Sequence, residues 1–178
     1  MPADRAPESQ SVALERALPS DSPLLANLLE LYIHDLSPAF PQIQLGADGR
    51  FGYSRLPLYW AEPERRFAYF IRRDGRLAGF ALASRGSPVV DDPEVLDVQE
   101  FFVLRSERRF GVGRAAAFQL WRALPGNWIV RVSEGVPDSV KFWRTITTEF
   151  SHGAVKEWQP GGEWRGRRVF SFESRAGA

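Results

Sequence analysis

Residues 99–117 read QEFFVLRSERRFGVGRAAA, and the interpretation of the whole chain depends on this stretch. It begins as an apolar strand, continues through an arginine-rich turn and ends in small residues that favour a helix. Gly111 and Gly113 stand where the helix begins. Glycine there lets the backbone approach a bound group closely, and the free N–H groups of a helix start attract anions. The pattern predicts a phosphate cradle, although such a turn between strand and helix also occurs without a ligand.

Two common phosphate-binding motifs do not fit this stretch. The P-loop requires Lys and then Ser or Thr after its last glycine, and here Arg114 follows Gly113. The dinucleotide fingerprint requires three spaced glycines, and only two are present. Arg108 and Arg109 add positive charge just before the glycines. A phosphate or pyrophosphate cradle of another type is therefore predicted.

Outward from this stretch, apolar periodicity predicts one α/β domain over 11–178, preceded by a flexible tail at 1–10. Its sheet is mixed, mostly antiparallel, has six to seven strands and is flanked by helices. Asp74-Gly75 joins two of the strands as a tight hairpin. The apolar end of strand 95–104 predicts burial on both faces. Strands are predicted at 12–17, 67–73, 76–85, 95–104, 127–133, 154–158 and 168–172, and helices at 23–36, within 56–66, and at 111–124 and 137–146.

Composition excludes several classes of protein and site. The 23 Lys plus Arg against 22 Asp plus Glu give a net charge of +1, which predicts no nucleic-acid or membrane partner. The absence of Cys excludes disulfides, thiolate metal sites and a cysteine nucleophile. The two histidines cannot form a three-histidine metal site, so no metal is expected. Residues 1–11 have no apolar segment typical of a secretory signal, so a cytoplasmic location is expected.

The motif Arg108-x-x-Gly111-x-Gly113, directly after strand 95–104, resembles the acetyl-coenzyme A signature of the GNAT N-acetyltransferase superfamily. That signature is Gln or Arg, two residues, Gly, one residue, and Gly or Ala. The order of elements across most of 12–173 is similar as well, but only 99–117 is specific. The resemblance implies a GNAT-type fold that binds acetyl-coenzyme A.

The resemblance also implies an activity, namely acetyl transfer to a primary amine of a small molecule or peptide by direct attack. Transfer of a longer acyl group, or a coenzyme A-binding sensor or interaction module without turnover, remain alternatives. The pantetheine arm would lie between strands 95–104 and 127–133, with the pyrophosphate on 108–113. The residues implied for coenzyme A are Phe101, Phe102, Val103, Arg108, Arg109, Phe110, Gly111, Val112, Gly113, Arg114 and Phe142.

Glu100 is the candidate general base, because it interrupts an apolar strand and a carboxylate can accept the proton of an ammonium. An ion pair with one of the many arginines is the structural alternative. The family often carries Phe-Tyr on its last core helix, where the tyrosine acts as the acid, but here Phe142 is followed by Trp143. Ser133 and Ser139 are therefore the candidate hydrogen-bond donors to the departing sulfur, directly or through water, and Ser139 is assigned the role, unless the thiolate leaves unprotonated.

The resemblance places the acceptor on the first helix, the loop 37–57 and the tip of the hairpin. The residues considered there are Tyr32, His34, Asp35, Tyr53, Tyr59 and Trp60, and the selected candidates are Tyr32, Asp35, Tyr59 and Trp60. Asp35 would bind an ammonium and the aromatics would line a pocket for a cation, although core packing explains each aromatic equally well. The tryptophans and arginines near the C-terminus can form either an edge hairpin or the surface of a homodimer.

Overall fold

The computed structural model describes residues 11–175, and the tail predicted at 1–10 lies outside the described residues. One seven-stranded sheet is flanked by four helices, which confirms the predicted fold class. The strands are β1 Val12–Arg16, β2 Arg66–Arg73, β3 Arg76–Arg85, β4 Leu96–Val103, β5 Gly126–Ser133, β6 Lys156–Trp158 and β7 Arg167–Ser174. The helices are α1 Ser22–Leu36, α2 Leu58–Ala61, α3 Val112–Ala123 and α4 Pro137–Phe150.

The strand order is β1-β2-β3-β4-β5-β7-β6, and every neighbouring pair is antiparallel except β4 and β5. The predicted hairpin is present: Asp74 and Gly75 both have positive φ, at 50° and 75°, as a two-residue hairpin turn requires. At the other end of the chain, β6 and β7 form an edge hairpin. Within residues 11–175, no helix is both long and apolar enough to cross a membrane.

The two faces of the sheet carry different helices. On one face, Trp121 of α3 and Trp143 of α4 belong to the same buried cluster as Val98 and Val130. On the other face, α1 and α2 pack on a second cluster that includes Phe80 and Phe102. We call these the α3 face and the α1 face.

The sheet splits between β4 and β5. Their parallel pairing ends at Val98↔Val130, beyond which β4 pairs only with β3. In the β3 pairing, Leu82 lies opposite Glu100 and Ala83 opposite Val98, so Gln99 is a β-bulge without a partner. The bulge coincides with the start of the split.

The split corrects the prediction that the apolar end of β4 is buried on both faces. Phe102 is buried against the α1 face, but Phe101 and Val103 are only half-buried. The reason is that β5 has already diverged from β4 at the positions of Phe101 and Val103.

Helix α4 is longer than predicted. It is expected to end at 146 but continues to Phe150, whose ring packs on the Trp121 ring with centroids 4.9 Å apart. Tertiary packing thus adds a turn that the sequence pattern does not predict.

Candidate active site

The loop between β4 and α3 has the backbone conformation of an anion site. Arg109 and Gly111 adopt positive φ angles of 70° and 75°. A Cβ on Gly111 would meet nothing within 4 Å, so glycine is favoured there by its φ angle and not by lack of space. The first helical hydrogen bond runs from the Ala115 N–H to the Gly111 carbonyl. The helix therefore leaves the N–H groups before Ala115 unpaired, and these can bind an anion.

Most of the arginine charge at this loop already has a partner. Arg108 folds back on β4 and donates to the Val103 carbonyl (2.8 Å) and to Asp35 (2.7 Å). Arg114 forms an ion pair with Glu149 on α4. Within residues 11–175, no hydrogen bond or ion pair engages the Arg109 side chain. Of the three arginines predicted to hold phosphate, Arg109 is the one left available.

Several residues predicted to contact coenzyme A have side chains that the fold already uses. The Phe102 and Val112 side chains are buried in the core, so only their main chains can reach a ligand. A Cβ on Gly113 would lie 3.1 Å from the Phe142 ring, so Gly113 allows α3 to approach α4 closely. The Phe110 ring is 52% exposed and lies beneath the Arg73 guanidinium, 4.1 Å away.

A cavity of about 650 Å³ passes through the split in the sheet. Residues of the α3 face line one side of it, and residues of the α1 face line the other. Because both groups border one space, the cavity connects the two faces. The α3 side includes Phe101, Val130, Val132, Ser139 and Trp143, and the α1 side includes Tyr32, Glu100, Arg55, Arg131 and Arg167.

Glu100 lies in the wall of this cavity and is bonded to tyrosines, not to an arginine. Its carboxylate accepts hydrogen bonds from Tyr32 Oη (2.7 Å) and Tyr53 Oη (3.1 Å). Burial raises the pKa of Glu100 above its usual range, and the two tyrosine hydrogen bonds oppose that rise. Burial and the Glu100 charge in turn raise the pKa of both tyrosines, which keeps their hydroxyls protonated as donors.

The bulge determines the face on which Glu100 lies. Side chains alternate along a regular strand, so Glu100 would otherwise share a face with Val98. The extra residue at Gln99 shifts the alternation, and Glu100 joins Phe102 on the α1 face while Phe101 joins the α3 face. The carboxylate thereby meets the tyrosines of the α1 side.

Tyr53 lies in the loop 37–57 that is expected to border the acceptor, but it is not among the four residues selected there. The segment that carries it is anchored by Glu30 of α1, whose carboxylate accepts the N–H groups of Phe51 (2.7 Å) and Gly52 (2.9 Å). The sequence signal for this arrangement is weak, since Tyr53 is one aromatic in a loop rich in proline and glycine.

Among the predicted acceptor residues, only Tyr32 lines the cavity. Asp35 pairs with Arg105 (2.9 Å) and Arg108 (2.7 Å), so its charge is already balanced by the loop before α3. Tyr59 is 3% exposed in the α1-face core, although the Glu100 charge still contributes to raising its pKa. The Trp60 indole donates to the Ala17 carbonyl at 3.3 Å. Through these contacts Asp35, Tyr59 and Trp60 support the fold around the cavity, and their role toward an acceptor stays a prediction.

Both residues considered for the acid step line the cavity, and Trp143 is the more buried of the two. Trp143 is buried, with its ring edge-on to Phe101 at 5.1 Å, and an indole has no acidic hydroxyl. Ser139 lies on the first turns of α4 and lines the cavity. Among the described residues, no group of three or more His, Cys, Asp or Glu side chains is placed to hold a metal ion.

The chain was compared with protein-family models, curated sequences and solved structures. A family model described as the acetyltransferase (GNAT) family matches residues 27–145. A GNAT-family acetyltransferase from Streptococcus agalactiae has a TM-score of 0.67 at 13% identity, covering 92% of this chain and 96% of that chain. No curated protein sequence matches significantly.

Two further solved structures have named activities. Spermidine N-acetyltransferase from Vibrio cholerae, in complex with CoA and spermine, has a TM-score of 0.62 at 10% identity, covering 92% of this chain and 95% of that chain. Ribosomal-protein-alanine N-acetyltransferase from Brucella melitensis has a TM-score of 0.60 at 14% identity, covering 90% and 99%. At these identities the likeness shows a shared fold and does not transfer an acceptor.

Proposed function

The chain belongs to the GNAT family of acetyltransferases, and from that membership we propose that it transfers an acetyl group from acetyl-coenzyme A to a primary amine by direct attack. The observation that carries the proposal is the cavity through the split sheet, with Glu100 in its wall. Such a cavity lets an acyl donor approach from the α3 face and an acceptor from the α1 face.

The residues present fit coenzyme A in both charge and shape. The N–H groups at the start of α3 and the Arg109 guanidinium would hold the pyrophosphate. Beyond Val98, β4 has no partner on the β5 side, so main-chain groups near Phe101 are available to the pantetheine arm. Bound there, acetyl-coenzyme A supplies the thioester from which the acetyl group is taken.

Glu100 would act as the general base. It would take one proton from the acceptor ammonium, and the free amine would then form a C–N bond to the acetyl carbon as the C–S bond breaks. The second amine proton would leave with the departing sulfur as the thiol, or pass to water if the thiolate leaves unprotonated. Burial raises the pKa of this carboxylate toward neutral pH, and a general base is most effective when its pKa lies near the pH of the reaction. Ser139, which lines the same cavity, would donate a hydrogen bond to the departing sulfur.

The first test is Glu100→Gln, which keeps the size of the side chain and removes its basicity. We expect kcat/KM to fall by roughly 10²–10⁴ at neutral pH, the usual contribution of a positioned base. Much of the loss should be recovered at high pH, where the amine is already deprotonated. Release of free coenzyme A across a panel of amines measures the rate, and calorimetry should show unchanged coenzyme A affinity.

Glu173→Gln is the matched control, because Glu173 lies on β7 outside the cavity and is more than half exposed. It should leave both kcat/KM and the pH profile unchanged. A Glu100→Gln enzyme with a normal pH profile would make Glu100 a structural partner of the tyrosines and contradict the assignment.

A second function, coenzyme A binding without turnover, is favoured by one observation, the buried Trp143 at the position where the family often has an acidic tyrosine. Tight coenzyme A binding without acetylation of any amine would support this second function.

Two further questions have their own tests. Transfer of a longer acyl group would be recognised by faster turnover with propionyl- or butyryl-coenzyme A than with acetyl-coenzyme A. Sedimentation at several concentrations tests whether the chain forms a homodimer.

A further inference from the structure

The cavity is strongly basic. Its whole lining, over both faces of the sheet, contains five arginines and one acidic residue, Glu100. The sheet register places Arg131 opposite Val169 and Arg167 opposite Ser133, so both arginines project from the α1 face. This is also the face of Glu100. The five arginines are Arg55, Arg66, Arg85, Arg131 and Arg167.

Three of these arginines are neutralised by the protein itself. Arg66 pairs with Glu62 at 2.7 Å, and Arg85 pairs with Glu94 at 3.2 Å. Arg131 pairs at 2.8 Å with the fully buried Asp97. These pairs account for three of the five charges in the lining.

The other two arginines have no carboxylate partner anywhere in the described part of the chain. Arg167 is half-buried and packs over the Phe40 ring at 5.8 Å. Its charge reaches the reaction centre, because it opposes the rise in pKa that burial causes at Glu100 and Tyr32. Arg55 is exposed at the rim. The cavity therefore holds uncompensated positive charge on the same side as the proposed base.

From this distribution, and resting on the proposed function, we infer that the acceptor is an amine that also carries an anionic group, either a carboxylate or a phosphate. The amine would face Glu100 and the anionic group would face Arg167 and Arg55. A guanidinium binds carboxylate and phosphate through two parallel hydrogen bonds, so the same pair of arginines suits either anion. A polyamine would instead bring its further positive charges against these arginines.

The inference is tested by matched pairs of amines titrated into the coenzyme A-saturated protein. Each pair differs in the anion: phosphoethanolamine against ethanolamine, and the standard amino acids against their amides, with spermidine as a purely cationic reference. We expect the anionic member to bind about 10- to 100-fold more tightly, as charge-assisted hydrogen bonds imply. The phosphate and carboxylate pairs distinguish the two anions.

Variants connect that preference to the arginines. Arg167→Gln should reduce the preference about tenfold or more, while Arg167→Lys should keep part of it because the charge remains. Arg76→Gln, at the exposed start of β3 and outside the cavity, is the control and should change nothing. Since Arg167 is half-buried, circular dichroism should first show that each variant is folded.

Equal binding of both members of each pair, no binding of the anionic members, or preference for the amides or spermidine would overturn the inference. A preference that survives both Arg167→Gln and Arg55→Gln would overturn it as well. The proposed function fails separately, if no bound amine is ever acetylated. Binding measurements therefore test the anionic acceptor, and turnover measurements test acetyl transfer, so failure of one is distinguishable from failure of the other.

Discussion

At the scale of single residues, the Glu100 carboxylate is subject to two opposing influences. Burial disfavours its charged form, and hydrogen bonds from Tyr32 and Tyr53 favour it. A hydrogen bond contributes on the order of 1 kcal/mol, which corresponds to about 0.7 of a pKa unit. Each tyrosine hydroxyl therefore adjusts the pH at which the proposed base becomes active.

Tyr32→Phe and Tyr53→Phe should each raise the pKa of Glu100 further, because each removes a hydrogen bond to the charged form. A base works only when deprotonated, so the acid limb of the kcat/KM profile should move to higher pH by about half to one unit. Tyr69→Phe, on the α3 face, is the matched control and should leave the limb in place. An unmoved limb in both Tyr32→Phe and Tyr53→Phe would mean that Glu100 does not set it.

Trp143 serves packing in this structure, with its ring edge-on to Phe101 at 5.1 Å and to Phe142 at 5.0 Å. Trp143→Tyr should lower the free energy of unfolding by about 1–3 kcal/mol, measured by urea denaturation, because it leaves a void. We expect kcat to stay level, since Ser139 lines the same cavity and is the proposed hydrogen-bond donor to the departing sulfur. A clear increase in kcat would show instead that protonation of the sulfur limits the rate.

At the scale of elements, the sequence predicts what local chemistry determines. The Asp74-Gly75 turn, the strand before Arg108 and the helix after Gly111 all carry short-range signals and lie where expected. The bulge at Gln99 carries none, because Gln99 is an ordinary strand residue and the bulge exists only through pairing with β3. The side-chain partners of Glu100 were unpredictable for the same reason, since they depend on which face the bulge selects.

The loop that carries Tyr53 depends on a single carboxylate. Glu30→Gln replaces an anion that accepts two N–H groups with a neutral amide. The loop that carries Tyr53 would then be held less firmly, and the Tyr53 hydrogen bond to Glu100 would weaken. We therefore expect Glu30→Gln to shift the acid limb of the kcat/KM profile in the same direction as Tyr53→Phe. Because both changes act through the same hydroxyl, the double variant should shift the limb no further than Tyr53→Phe alone. Glu64→Gln, an exposed carboxylate outside the cavity, provides the control.

A simple sum of the two shifts would contradict this reading of Glu30. It would mean that Glu30 acts on the reaction independently of Tyr53, for example through the position of α1. The double-variant measurement therefore separates a positioning role from a general loss of stability.

At the scale of the whole molecule, a net charge of +1 conceals a local excess, since Arg55 and Arg167 in the cavity lining have no carboxylate partner among the described residues. Ligand binding should be visible in global stability, because a ligand that binds only the folded state stabilises it. A ligand at 100 times its Kd stabilises the folded state by about 2.7 kcal/mol. For a chain of this size, coenzyme A should raise the Tm by about 5–10 °C.

Gly111→Asp should abolish most of that rise, because it places an anion in the proposed pyrophosphate site. Gly111→Asn is the matched control: it has nearly the same shape and tolerates the left-handed φ of 75°, but adds no charge. Thermal denaturation with and without coenzyme A measures both variants. An equal rise in Tm for Gly111→Asp and the unaltered protein would place the pyrophosphate elsewhere.

The unpaired Gln99 also has a consequence for how this gene can change in length. Deleting that codon would leave Glu100 directly after Val98, and regular alternation puts adjacent strand residues on opposite faces. Glu100 would therefore stay on the α1 face opposite Leu82, and Phe101 and Phe102 would keep their faces as well. Loss of the Gln99 codon should thus spare the proposed base, whereas loss of the Phe101 codon would turn Phe102 from the α1 face to the α3 face.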